Sequence, residues 1–126
     1  MLKTIKNVPN RVVKAMGYSL SGLAQAYRKE ESVRLELLAL AILAVVLALV
    51  PWPAWKKLAL VAVYLIVPLT ELLNSAIEDV CDLVSPGINP FVKAAKDKGS
   101  AVVLVAIVLN VVALVALILC PNGVFP

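Results

Sequence analysis

The sequence predicts an all-α integral membrane protein: an amphipathic surface helix followed by three transmembrane helices. Three observations carry that reading. Of its 126 residues 62% are hydrophobic, with a mean hydropathy of +0.96, whereas soluble domains are nearer half apolar. Apolar runs at about 33–50, 58–80 and 101–120 each approach the ~20 residues that cross a ~30 Å hydrocarbon core. The first thirty residues differ, mixing cations with apolar residues at near-helical spacing. One domain over 1–126 is expected, with a surface helix at about 5–28 and spans at about 31–50, 55–83 and 92–120.

The amino-terminal segment carries Lys3, Lys6, Arg11, Lys14, Arg28 and Lys29, interleaved with Val12, Val13, Met16, Leu20, Leu23 and Tyr27. That pattern suits a helix lying in the membrane interface, with Gly17 and Gly22 as points where it could break. No cleavable signal is expected, because charges and a polar stretch come first and the apolar run comes late. The loop PWPAWKK at 51–57 is short and proline-broken, so the first two spans form a tight hairpin, with Trp52 and Trp55 as interface anchors. SPGINP at 85–90 reads as a turn leading into the third helix.

Lys and Arg divide ten against two between the amino end with the second loop and the first loop with the carboxyl end. The positive-inside rule then places the amino end and second loop in the cytoplasm. All eight acidic residues fall on that same side: Glu30, Glu31, Glu36, Glu71, Glu78, Asp79, Asp82 and Asp97. Acidic residues contribute little to the topology rule, so their one-sidedness suggests chemistry confined to the cytoplasmic face. The net charge of +4 is modest, and no nucleic-acid partner is expected. With no His, a His-based zinc site and a His general base are both excluded. Cys81 and Cys120 lack CxxC spacing and read as inert helix residues.

ELLNSAIE at 71–78 lies inside the second apolar run. Seven residues are almost two helical turns, so Glu71 and Glu78 share a face about 10 Å apart along the axis, with Asn74 and Ser75 between them. Asp82 extends this ladder one turn toward the interface. The plain alternative is a packing seam in which Asn, Ser and a Lys-paired Glu join helices. Two buried carboxylates are costly for that purpose, and ionisable groups within a span are functional by default. Carboxylates suit Mg²⁺ shared with substrate phosphates, and a deep one could serve as base for a hydroxyl arriving from the lipid. Lys96 and Asp97, near the start of the third helix, and Glu30 with Arg34, four apart at the mouth of the first, add charges suited to phosphate and metal. The five glycines form neither a Walker A nor a kinase Gly-rich loop.

At these residues the sequence resembles the bacterial integral-membrane diacylglycerol kinase family. The matching stretches are RVVKAMGYS at 11–19 with Gly22 and Leu23, then 30–36, 71–78, and AKDKGSA at 95–101. The resemblance implies a homotrimer with active sites shared between protomers, and an ATP-dependent enzyme that phosphorylates diacylglycerol. It implies Glu71 as general base supported by Asn74, and Glu30 and Glu78 as carboxylates holding Mg²⁺ on the ATP phosphates. Arg11, Tyr18, Lys96 and Asp97 would contact nucleotide, and Ala15, Ser19, Arg34 and Ser100 would lie near the lipid. The setting would be the bacterial cytoplasmic (inner) membrane, multi-pass, with the amino terminus and active site cytoplasmic. Where family members often carry an acidic residue, a Tyr and a His in the second loop, this chain has Gly87, Ile88 and Asn89. Contacts to adenine through those side chains are therefore not expected. An undecaprenol kinase remains an alternative within the fold. A small transporter or channel subunit is a more distant one, because a conduction path needs polar residues in the outer halves and the third run has only Asn110 at 102–119.

Overall fold

The computed structural model describes residues 8–122, and every regular element among them is helical. In chain order they are α1 (Val8–Lys29), α2 (Glu31–Leu49), α3 (Ala54–Tyr64), α4 (Ile66–Val84) and α5 (Pro90–Leu119). The chain divides into two compact units between Glu31 and Ser32. The expected start of the surface helix at residues 5–7 lies outside the described residues.

In the first unit α1 is a single helix of 22 residues, ending in Arg28 and Lys29, which complement the negative end of its dipole. It runs unbroken through Gly17 and Gly22, the two points where the sequence left room for a break. Neither glycine has an atom within 4 Å of where a Cβ would stand, so nothing there depends on a bend. The Glu30 N–H donates to the Ala26 carbonyl at 2.8 Å and closes the helix.

In the second unit three stretches are long and apolar enough to cross a membrane: Glu31–Leu49, Ala54–Val84 and Pro90–Leu119, with mean hydropathies of 2.3, 1.8 and 3.3. Helices are the natural answer to this composition, since they satisfy their backbone groups internally. The second stretch is built from two helices, α3 and α4, divided at Leu65. Pro68 explains the division, because it has no N–H to donate to the carbonyl of Tyr64 and its ring crowds that turn. Pro51 and Pro53 hold the preceding connection out of the helical register. At the start of α5 the Asn89 side chain accepts from the N–H groups of Phe91 and Val92, at 2.9 and 3.5 Å, with Pro90 at the first helical position.

The main seam of the bundle runs between α4 and α5, with α3 also packed on α5. Asn110 joins α5 to α3: its Nδ2 donates to the Val63 carbonyl at 3.1 Å and to the Ala106 carbonyl at 3.0 Å. The one polar side chain of the outer third span is therefore occupied in holding helices together. The Tyr64 hydroxyl donates to the Glu36 carbonyl at 2.6 Å and ties α2 to α3. Cys81 is buried, and both cysteines are free thiols.

Lys56 is the most deeply buried side chain described, at 1% exposure. Its ammonium donates to the carbonyls of Leu117, at 2.8 Å, and of Cys120. It also sits over the rings of Trp52 and Trp55, 5.4 and 5.7 Å from their centroids. A cation in the first turn of α3 thus caps the carboxyl end of α5, where carbonyls lack helical donors and the dipole is negative. Lys56→Met should destabilise the protein by about 1.5–3 kcal/mol, the worth of hydrogen bonds to a charged group. The thermal midpoint in detergent measures this, and Lys57→Met, on the neighbouring residue, should leave that midpoint nearly unchanged.

Candidate functional site

The acidic ladder lies on α4, and the structure shows how its members are held. Asn74 is 9% exposed, and its Nδ2 donates to Glu78 Oε1 at 3.0 Å across one helical turn. Glu71 and Glu78 are half-buried. One turn beyond Glu78, Asp82 Oδ1 accepts from Lys96 Nζ of α5 at 2.6 Å, and the charge of Glu78 also acts on Lys96. The ladder on α4 and the cation on α5 therefore meet across the main seam.

Lys96 and Asp97 are adjacent in sequence but engage different partners. Lys96 reaches across to α4, while Asp97 Oδ2 accepts from Lys93 of its own helix at 2.6 Å. Both line a cavity of about 650 Å³ walled by the 85–89 loop, with Asp82 and Lys93 contributing further charge. Asn89 borders this cavity too. The loop segment that departs from the family pattern is thus partly committed to capping α5.

The remaining sequence-selected residues are distributed as follows. Arg34 is an exposed residue of α2 and Ser100 an exposed residue of α5. Arg11, Ala15, Tyr18 and Ser19 are exposed on α1, where the Ser19 hydroxyl donates to the Ala15 carbonyl at 3.0 Å. Glu30, half-buried, is the single residue between α1 and α2.

Three features were not singled out from the sequence. Glu36 on α2 carries a buried Oε2 without a hydrogen-bond partner among the described residues, and its charge interacts with that of Glu71. Its position near the start of an apolar run was the available signal. Gly99 of α5 is buried against Asn74, and Lys93 partners Asp97. Neither had a signal beyond its place near the Lys96–Asp97 pair.

Among the described residues no group of three or more His, Cys, Asp or Glu gathers to hold a metal by itself. The donor chemistry instead suits a hard cation such as Mg²⁺, which takes one or two carboxylates and completes its shell with water and substrate phosphate. Glu78 fits, because one carboxylate oxygen is fixed by Asn74 and the group stays half-buried.

Three membrane-length helices with an acidic ladder at the end of one seam define a multi-pass membrane protein with a polar site. A model described as prokaryotic diacylglycerol kinase matches residues 17–119. The chain is 36% identical over 102 residues to the diacylglycerol kinase of Escherichia coli K12, covering 81% of this chain and 84% of that one. It is 40% identical over 97 residues to that of Pseudomonas aeruginosa, covering 77% and 79%, and 34% identical over 101 residues to that of Helicobacter pylori, covering 78% and 77%. The chain belongs to the prokaryotic diacylglycerol kinase family, and it is accordingly an enzyme of the kinase class.

Proposed function

We propose that this protein transfers the γ-phosphoryl group of Mg-ATP to the hydroxyl of diacylglycerol, giving phosphatidic acid at the cytoplasmic face of the bacterial inner membrane. The observation that carries this reading is the Glu71–Asn74–Glu78 ladder on a membrane-spanning helix, met at its interfacial end by Lys96, within the stretch matched to the family. The relatives reported above bear the name diacylglycerol kinase, which favours that lipid over undecaprenol.

In this reading Glu71, the deepest carboxylate, takes the proton from the lipid hydroxyl as its oxygen attacks the γ-phosphorus and the bond to ADP breaks. Asn74 holds Glu78 in place. Glu78 and Glu30 are the carboxylates for Mg²⁺, which when bound with the nucleotide offsets the charge of the phosphates. Lys96 exchanges Asp82 for phosphate oxygens, and Asp97, Arg11 and Tyr18 hold the nucleotide. Ala15, Ser19, Arg34 and Ser100 border the lipid. In this reading the protein works as a homotrimer with active sites shared between protomers, as its likeness to the family implies.

The deciding assay is phosphate transfer from labelled Mg-ATP by the purified protein in mixed micelles, with diacylglycerol and undecaprenol offered separately. Label should appear mainly as phosphatidic acid. Label mainly in undecaprenyl phosphate would overturn the substrate while leaving the site, and label in neither lipid would overturn the reading altogether. Glu71→Gln keeps shape and hydrogen bonding but removes the base, and turnover should fall about 10²–10⁴-fold while sedimentation shows the oligomer intact. A near-normal rate would exclude Glu71 as base. Glu78→Gln should act on the metal instead, raising the Mg²⁺ concentration for half-maximal rate by about 10–100-fold.

A further inference from the structure

We propose that Gly99 is a positioning residue of this site: its missing side chain is what allows Asn74 to stand where it holds Glu78. The proposal rests on the kinase reading above for what Glu78 does, and on geometry alone for the link between the three residues.

Gly99 lies ten residues into α5 and is buried. Glycine is among the least favourable residues inside a helix, so a reason for it is needed. The other glycines described supply none: Gly17, Gly22 and Gly87 have nothing within 4 Å of where a Cβ would be. At Gly99 a Cβ would stand 3.2 Å from Asn74 Cγ and 3.8 Å from Asn74 Cβ, and it would overlap Asn74 Oδ1 outright. The amide of Asn74 therefore occupies the space that any other residue at 99 would fill.

That amide has little freedom to give way. Its Nδ2 is engaged with Glu78 Oε1 at 3.0 Å. Its Oδ1 is buried without a hydrogen-bond partner among the described residues and lies where a Cβ of residue 99 would stand. Exchanging the two ends of the amide would turn an oxygen toward the Glu78 carboxylate, an acceptor facing an acceptor. Rotating Asn74 about χ1 to admit a methyl group would carry Nδ2 away from Glu78. A single methyl on α5 thus reaches Glu78 on α4 through one intervening side chain.

Gly99→Ala tests this. Alanine favours the helix, so fold and oligomer should persist. The Mg²⁺ concentration for half-maximal rate should rise about tenfold, the usual scale for losing a group that orients a metal-binding side chain. Leu60→Ala, which opens a buried apolar site elsewhere in the bundle, should lower the thermal midpoint without moving that concentration. In an Asn74→Ala background the added Gly99→Ala change should cost less than about twofold, because coupled residues are non-additive and no amide remains to displace. A readout independent of turnover is the side-chain amide resonance of Asn74 in isotope-labelled protein, assigned by its loss in Asn74→Ala. It should shift in Gly99→Ala and stay in Leu60→Ala. Unchanged Mg²⁺ dependence, an equal cost in both backgrounds, or an unshifted resonance would each overturn the proposal. If the wild-type chain transfers no phosphate, the kinase reading fails, and the resonance together with a double-mutant cycle of thermal midpoints still decides whether Gly99 positions Asn74.

Discussion

The site depends on one contact between α4 and α5, where the Asn74 side chain fills the space that a side chain at Gly99 would take. The buried residues of this half are small or polar: Asn74, Cys81, Gly99 and Ala106. Lipid tails are as apolar as leucine, so burying leucine gains little inside a membrane, whereas close packing and hydrogen bonds between helices do gain. The Asn74 amide fits the notch left by Gly99, and the same amide holds Glu78. One side chain of α4 thus both meets α5 and engages the carboxylate.

The two ends of α5 are secured in different ways. At its amino end the charged pairs are exposed: Lys96–Asp82 at 34% and 63%, and Lys93–Asp97 at 76% and 61%. Such pairs contribute little to stability and can be exchanged for another anion at small cost. At its carboxyl end the cation is buried and bonded to backbone. A phosphate arriving at the 85–89 cavity would therefore meet side chains able to change partners, on a helix fixed at its far end.

Much of this was legible in the residues. The apolar runs mark the three membrane-length helices because period and composition report burial in lipid directly. The face shared by Glu71, Asn74 and Glu78 follows from helical phase, and the Asn74–Glu78 bond is one turn of that phase made real. What lay hidden depended on partners distant in sequence. Lys56 entered only the tally of cations, because its partners are carbonyls of Leu117 and Cys120, which no side chain advertises. Gly99 was only one letter of AKDKGSA, because a notch exists only once the neighbour that fills it is placed. Gly17 and Gly22 read as possible breaks, and α1 passes through both without one.

The burial of Lys56 links two helix ends that are distant in sequence. Its ammonium is bonded to the backbone carbonyls of Leu117 and Cys120 and lies against Trp52 and Trp55, so a side chain of α3 partly offsets the negative end of the α5 dipole. Drawing the two helices apart there would strip a cation and a helix end of their partners at once, which makes their separation a single cooperative event.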